Sequence, residues 1–173
     1  ESRDPEFDTD KINLPCVVKP CSCGSSVGIS IAETKSDLEN AIKNAKKFEN
    51  NFIVEEKING REFSVGILNG EVLPPIEIIV KDGFYDYDNK YNGNTKEVCP
   101  AIINEELLNK LQESAKKVHH ALRLGAYSRI DFIVDSENNC YCLEANTLPG
   151  MTPMSLFPQE AKAMNITFEE LCD

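Results

Sequence analysis

The sequence predicts an α+β fold, an antiparallel sheet with packed helices, on three observations. Short β-rich runs recur between glycine and asparagine turn signals, and two segments carry apolar residues at the three-four spacing of a helix. Composition is ordinary for a globular chain: 173 residues, 41% hydrophobic and 27% charged, which excludes disorder, collagen-like repeats and coiled coil. That length suits one domain or a pair of small lobes with a sizeable core. The formal charge of −11 argues against nucleic-acid or anionic-lipid partners, so any phosphate must meet a local basic site. No run approaches the roughly 20 apolar residues that span a bilayer. Seven cysteines, an odd number, fit reduced thiols of a soluble cytoplasmic protein. The two Cys-x-Cys pairs lack zinc spacing, and the two histidines, His119 and His120, are adjacent.

The elements follow in order. Residues 1–11 lack apolar periodicity and read as a flexible leader or one introduced by cloning, with ordered structure expected from about Ile12. Leu14 to Val18 and Ile29 to Ala32 are short strands flanking a glycine-serine loop, Gly24-Ser-Ser-Val-Gly28. Thr34 or Ser36 caps a helix whose stripe is Leu38, Ala41, Ile42, Ala45 and Phe48, with its end at Phe48. Phe52 to Glu56 and Glu62 to Leu68 are strands about Asn59-Gly60, and Asn69-Gly70 is a type I′ turn into Val72-Leu73; together they predict a meander. Residues 81–96, with Tyr85, Tyr87 and Tyr91, are too long and aromatic for a connector and read as a functional loop. Leu107, Leu108, Leu111, Ala115, Val118 and Leu122 make the longest helix, with Gly125 as its left-handed cap. Ser128 to Asp135 and Cys140 to Asn146 form the last hairpin.

That hairpin gathers carboxylates. A turn centred between Glu137 and Asn138 sets Asp131 opposite Glu144 and Arg129 opposite Asn146, all on one face. The other face receives Ile130, Phe132 and Val134 against Ala145, Leu143 and Tyr141. Adjacent acids repel unless a cation intervenes, and Asn146 adds a neutral oxygen, so Mg2+ is one reading. A salt-bridged patch in which Arg129 neutralises both acids is the other. Mg2+ held by so few protein oxygens completes its shell with water and phosphate. The loop at Gly24–Gly28, with Lys19 before it, has the backbone N–H groups and hydroxyls to fold over polyphosphate, or it is simply a hairpin tip. It matches neither a Walker loop nor a dinucleotide fingerprint.

Lys19-Pro20 with Gly24-Ser-Ser-Val-Gly28, Val54-Glu-Glu-Lys-Ile-Asn-Gly-Arg-Glu-Phe63, Phe84-Tyr-Asp-Tyr87 with Lys90-Tyr91, Arg129-Ile-Asp131 and Glu144-Ala-Asn-Thr-Leu-Pro-Gly-Met-Thr-Pro153 occur in order. Together they resemble the D-alanine-D-alanine ligases, a family of ATP-grasp enzymes. The resemblance implies an ATP-grasp fold and a reaction in which ATP phosphorylates one D-alanine and a second attacks the acyl phosphate, making dipeptide for peptidoglycan. It implies ATP and two Mg2+ ions as cofactors, Mn2+ being an acceptable substitute, with Asp131, Glu144 and Asn146 as the metal ligands. Lys19 and Lys90 would contact phosphates, Ser26 would cover them, Glu55, Glu56 and Ile58 would line the adenine pocket, and Glu62 would bind the ribose. Arg129 and the Gly150 N–H would stabilise the oxyanion, Ser25 and Tyr91 would act near the first substrate, and Ser155 with the Leu156 N–H would hold the second substrate's carboxylate.

Family members are about twice this long, so the resemblance implies a truncated form: residues 12–60 as part of the central ATP-binding subdomain, 61–173 as the catalytic subdomain, and an N-terminal domain absent. Little or no ligase activity alone is expected, and the full-length protein is expected to be a homodimer. Tyr91 after Lys90 favours amide over ester formation, since relatives that take D-lactate carry histidine in this loop. Cys21 and Cys23 in the glycine loop and Lys57 in the nucleotide hinge depart from the usual pattern. The alternatives are another ATP-grasp carboxylate-amine ligase, such as a D-alanine-D-serine ligase, or a non-catalytic nucleotide-binding module.

Overall fold

The computed structural model of the chain describes residues 3, 7–24, 26–80 and 95–173. They form two compact units, Glu1–Ile58 with Val80–Thr95, and Asn59–Ile79 with Lys96–Asp173.

In the first unit, β1 (Cys16–Pro20) lies between β2 (Ser30–Ala32) and β3 (Phe52–Glu56), antiparallel to both. Alternation along β1 buries Cys16 and Val18 under helix α1 (Lys35–Ala45), whose Leu38, Ala41 and Ala45 complete the core with Ala32 and Phe52. Thr34 starts α1 through a capping box with Asp37, satisfying orphan N–H groups of the first turn. The helix ends at Ala45 rather than at Phe48. There the last turn tightens, as the N–H groups of Lys47 and Phe48 bond the carbonyls of Asn44 and Ala45. Phe48, half exposed, covers Gly28 instead: with φ +76°, Gly28 has no room for a Cβ beside the Phe48 ring and Pro20. Packed chain also begins before Ile12, because the Phe7 ring meets Phe52 edge-on at 5.6 Å and Thr9–Lys11 make a 3-10 turn.

In the second unit a six-stranded sheet runs in the order β7-β6-β4-β8-β9, with β5 also on β4. The strands are β4 (Arg61–Leu68), β5 (Glu71–Val72), β6 (Ile76–Val80), β7 (Thr95–Val98), β8 (Tyr127–Val134) and β9 (Cys140–Asn146). The expected meander is therefore corrected: β3 and β4 lie in different sheets, and the turn signal at Asn59-Gly60 separates them. Gly60 passes so close to the Val134 carbonyl that no side chain fits, which fixes the chain's path onto β4. Asn69 (φ 50°) and Gly70 (φ 84°) form the expected two-residue turn, pairing Leu68 with Glu71.

One face of this sheet presents Phe63, Val65, Ile67, Ile130, Phe132 and Val134 to helix α2 (Glu105–Ala121), which contributes Leu107, Leu111 and Ala115. Each large side chain buried there stabilises the unit by about 1.5–3 kcal/mol. Asn104 caps α2 by accepting the Leu107 N–H. The left-handed residue at its end is Arg123 (φ 51°), not Gly125. The N–H of Leu124 reaches the His119 carbonyl and that of Arg123 the His120 carbonyl, so two hydrogen bonds offset the strain. Helix α3 (Leu156–Ala163) covers part of the opposite face with Phe157 and Ala161, and α4 (Phe168–Cys172) follows. Among the described residues no helix is long and apolar enough to cross a membrane.

Candidate functional site

The face of the second sheet turned away from α2 is built in rungs. Ile78, Glu62 and Ile133 make one; Ile76, Ser64, Asp131 and Glu144 the next; Gly66, Arg129 and Asn146 the third. The pairs Asp131 with Glu144 and Arg129 with Asn146 are those expected from the turn. Beyond them the expected register fails: Phe132 pairs with Cys142, Ile133 with Tyr141 and Val134 with Cys140. The hairpin therefore centres on Glu137, where Asp135 accepts the N–H groups of Glu137 and Asn139. Leu143 is the extra residue of a β-bulge and, like Tyr141, is exposed rather than part of the packed face. The bulge has a functional effect. Continued past Phe132, the turn's own register would set Glu144 opposite Ile130, on the face that α2 covers; Leu143 shifts it to the side of Asp131.

Arg129 holds Asp131 with two charge-assisted bonds, Nε to Oδ1 at 2.9 Å and Nη2 to Oδ2 at 2.7 Å. Their side chains are only 12% and 17% exposed. Burial alone would lower the Arg129 guanidinium, but the hydrogen bonds and charge of Asp131, with Glu160 and Glu144 beyond, raise it. Asn146 Nδ2 donates to Asp131 Oδ2 at 3.0 Å and to Glu144 Oε1 at 3.1 Å, so a carboxamide stands between the two acids. Glu62 is pushed up to about 7, first by burial and then by the Asp131 charge.

The donor set suits a hard cation. Two carboxylates and a carboxamide share one face, and the Asn146 amino group occupies a place between the acids that a cation could take; turning the amide offers Oδ1 instead. Among the described residues no group of three or more His, Cys, Asp and Glu is gathered for a metal, so further ligands would have to come from phosphate and water.

The remaining expected residues are placed as follows. In the first unit, Lys19 on β1 pairs with Glu55 on β3 at 2.8 Å, Glu56 is exposed, and Ile58 is partly buried. Ser26 takes a left-handed φ of 59° in the glycine-serine loop, where Gly24 accepts the Val27 N–H. Lys57, the unusual hinge residue, is neutralised by Glu33 at 2.8 Å. Ser25, Lys90 and Tyr91 lie outside the described residues, as does most of the expected functional loop.

In the second unit, Ser155 precedes α3 without capping it. Its Oγ accepts the Thr152 N–H at 3.1 Å and meets Thr152 Oγ1 at 2.9 Å, folding the turn from Gly150 tightly. A Cβ on Gly150 would stand 2.9 Å from that hydroxyl. This leaves the backbone N–H groups at the start of α3, including that of buried Leu156, as orphan donors suited to a carboxylate.

Sequence reasoning missed two residues on this face. Glu160 of α3 is fully buried, and neither its carboxylate oxygens nor the buried Ser64 Oγ has a hydrogen-bond partner. Burial and the Asp131 charge push its carboxyl well above the usual range, against the pull of Arg129 and the nearby Ser64 and Gly66. A signal existed: in Leu156-Phe157-Pro158-Gln159-Glu160-Ala161 the apolar stripe 156, 157, 160, 161 contains one acid.

An antiparallel sheet carrying paired acids, an arginine and a carboxamide beside a helix N-terminus places this chain in the ATP-grasp class. A sequence profile described as D-ala D-ala ligase C-terminus matches residues 5–173. The chain is 45% identical over 163 residues to D-alanine-D-alanine ligase of Pediococcus pentosaceus, covering 93% of this chain and 46% of that protein. It is likewise 45% identical to the enzyme of Flavobacterium johnsoniae, covering 93% and 51%. Among solved structures, D-alanine-D-alanine ligase from Bacillus anthracis complexed with ATP superposes with a TM-score of 0.83 at 30% identity, over all of this chain and 55% of that one. VanG D-Ala:D-Ser ligase from Enterococcus faecalis gives a TM-score of 0.83 at 33% identity, over 94% and 48%. The chain belongs to the D-alanine-D-alanine ligase family and spans about half the length of the relatives it matches.

Proposed function

We propose that this chain carries the catalytic half of an ATP-dependent ligase that joins two D-alanines through an acyl phosphate, a step of peptidoglycan synthesis in the cytoplasm. The carrying observation is the shared face of Arg129, Asp131, Glu144 and Asn146 on β8 and β9. Asp131, Glu144 and Asn146 are read as ligands of Mg2+, two ions when ATP is present, with Mn2+ an acceptable substitute; bound there, the metal neutralises phosphate charge. Arg129, kept on this face by an acidic partner, is poised to stabilise an oxyanion together with the Gly150 N–H. The N–H of Leu156 and the hydroxyl of Ser155 are read as the seat of the second substrate's carboxylate. Glu62, raised to about 7 and so shared between its acid and carboxylate forms at neutral pH, can donate a hydrogen bond to a ribose hydroxyl as well as accept one.

In the first unit Lys19 and Ser26 are read as phosphate contacts, and Glu55, Glu56 and Ile58 as adenine contacts. Residues 12–60 and 61–173 correspond in this reading to the central and catalytic ATP-grasp subdomains. Ser25, Lys90 and Tyr91 complete it as residues near the phosphates and the first D-alanine. The whole protein is read as a homodimer with neither nucleic-acid nor membrane partners. A D-serine second substrate is a specific alternative, since one superposing structure is a D-Ala:D-Ser ligase.

Calorimetric titration of Mg-ATP into this chain and into an Asp131→Asn, Glu144→Gln double variant tests the reading. Magnesium-dependent binding that the double variant loses is the expected result; equal binding by both chains would refute the assignment of the metal face. Dipeptide synthesis with D-alanine or D-serine in the whole protein then decides the second substrate.

A further inference from the structure

The buried acid of α3 has no role so far. A fully buried carboxyl with two unpartnered oxygens is a costly feature that calls for a reason. Its position is specific. A side chain on Gly66 would collide with Glu160 Oε2, with Leu73 Cδ1 at 2.8 Å and with Phe157 Cδ2 at 2.9 Å, so glycine is what lets the carboxyl approach the sheet there. Gly66 is the ladder partner of Arg129, and Ser64, the partner of Asp131, is the buried hydroxyl beside it. The Glu160 carboxyl thus stands against the rung that carries Arg129, whose charge it feels without pairing to it.

Asp131, meanwhile, is fully engaged. Both of its oxygens accept from Arg129, and Oδ2 accepts from Asn146 as well. An Asp131 so occupied offers little to a cation, while an Arg129 released from it would be a buried unpaired charge. We propose that Glu160 is a positioning residue that receives the Arg129 guanidinium when Asp131 turns to bind a divalent cation. In this exchange the Glu160 carboxyl gives up its proton to solvent, Arg129 keeps an acidic partner throughout, Asp131 is freed as a ligand, and the unpartnered oxygens of Glu160 gain their donors. Asp131 uses Nε and Nη2 of the guanidinium, so a third donor edge, Nη1, remains for Glu160 while the change is under way.

The inference rests on the metal reading of Asp131, and the test separates the two. Mn2+ alone, without nucleotide, is titrated into the chain and into Glu160→Gln and Glu160→Met variants, with thermal melting of each. Second-contact partners of metal ligands typically contribute about 10–100-fold to metal affinity, and a loss in that range is expected for both variants. Glu160→Met, which removes the unpaired acid, is expected to melt at a higher temperature than the parent while binding Mn2+ more weakly. A merely structural residue would not move stability and affinity in opposite directions. Unchanged Mn2+ affinity in both variants overturns the exchange, while the metal reading stands. No Mn2+ binding by the parent chain overturns both.

A metal-free arm uses the Asp131→Asn variant, in which Arg129 has lost its bidentate partner and Glu160 and Glu144 are the acids left to it. Adding Glu160→Gln to it is expected to lower the melting temperature by more than the two single effects combined. Additive effects in this cycle count against the exchange.

Discussion

Replacing Glu62 with glutamine should change the pH dependence of stability in a way that follows from the crowding of acids on this face. Burial, reinforced by the Asp131 charge, moves the Glu62 carboxyl from 4.5 to about 7. The folded chain therefore holds this proton more tightly than the unfolded one. Its stabilising effect is complete below about pH 4.5, is lost progressively as pH rises, and is gone above pH 7. Each pH unit of displacement corresponds to about 1.4 kcal/mol, so keeping Glu62 ionised costs about 3 kcal/mol at pH 8. Glutamine keeps the shape and cannot ionise. Urea unfolding of the parent and the Glu62→Gln variant between pH 4.5 and 8 should show curves that nearly coincide at the acid end. They should diverge to about 3 kcal/mol in favour of the variant at pH 8. Asp131→Asn, by removing one cause of the displacement, should make the divergence smaller and level it off at lower pH. A difference between parent and Glu62→Gln that is constant across this range would refute the account.

Gly66→Ala should destabilise the second unit by about 1–3 kcal/mol, because Glu160, Leu73 and Phe157 all meet the new methyl, and thermal melting should fall by several degrees. Arg129→Met leaves Asp131, Glu144 and Glu160 without their common cation, and a loss of about 3–5 kcal/mol is expected in urea unfolding at pH 7. Thr34→Ala removes the hydroxyl that accepts the Asp37 N–H, leaving only the backbone half of the α1 capping box, and circular dichroism melts should report a loss of about 1 kcal/mol.

The sequence was most legible where one local rule acts alone. Phe52–Glu56, Cys140–Asn146 and the Asn69-Gly70 turn were readable from alternation and turn chemistry, and α2 from its apolar stripe. Errors arose where a second residue competed for a role. Arg123 adopted the left-handed position that Gly125 would have filled more easily, because the chain had already satisfied the last carbonyls two residues earlier. Strands β3 and β4 read as neighbours because nothing in a local window shows that Gly60 must thread beside Val134. The pairing of Asp131 with Glu144 was legible from the alternation of Arg129, Asp131 and Ile133 with Ile130, Phe132 and Val134. The bulge was not, since Leu143 is apolar and looks like another inward residue. Glu160 was hidden differently: its stripe position was visible, but its meaning depends on Gly66, which lies far away in sequence and next to it in space.

The bulge at Leu143 divides β9 as a shifted reading frame divides a message. On the turn side, residues 140–142 take their orientation from the hairpin; on the other side, Glu144 and Asn146 take theirs from the long ladder of β8 with β4. Residues 136–139 could therefore be lengthened or exchanged without rotating an acid off its face, and a loop inserted there should be tolerated. Deleting Leu143 would give a continuous ladder from the turn and leave Glu144 opposite Asp131, next in line after Cys142 opposite Phe132. A ladder that instead paired Leu143 with Asp131 would keep the hairpin's hydrogen bonds nearly whole and dismantle the acidic face, since Glu144 would then lie opposite Ile130.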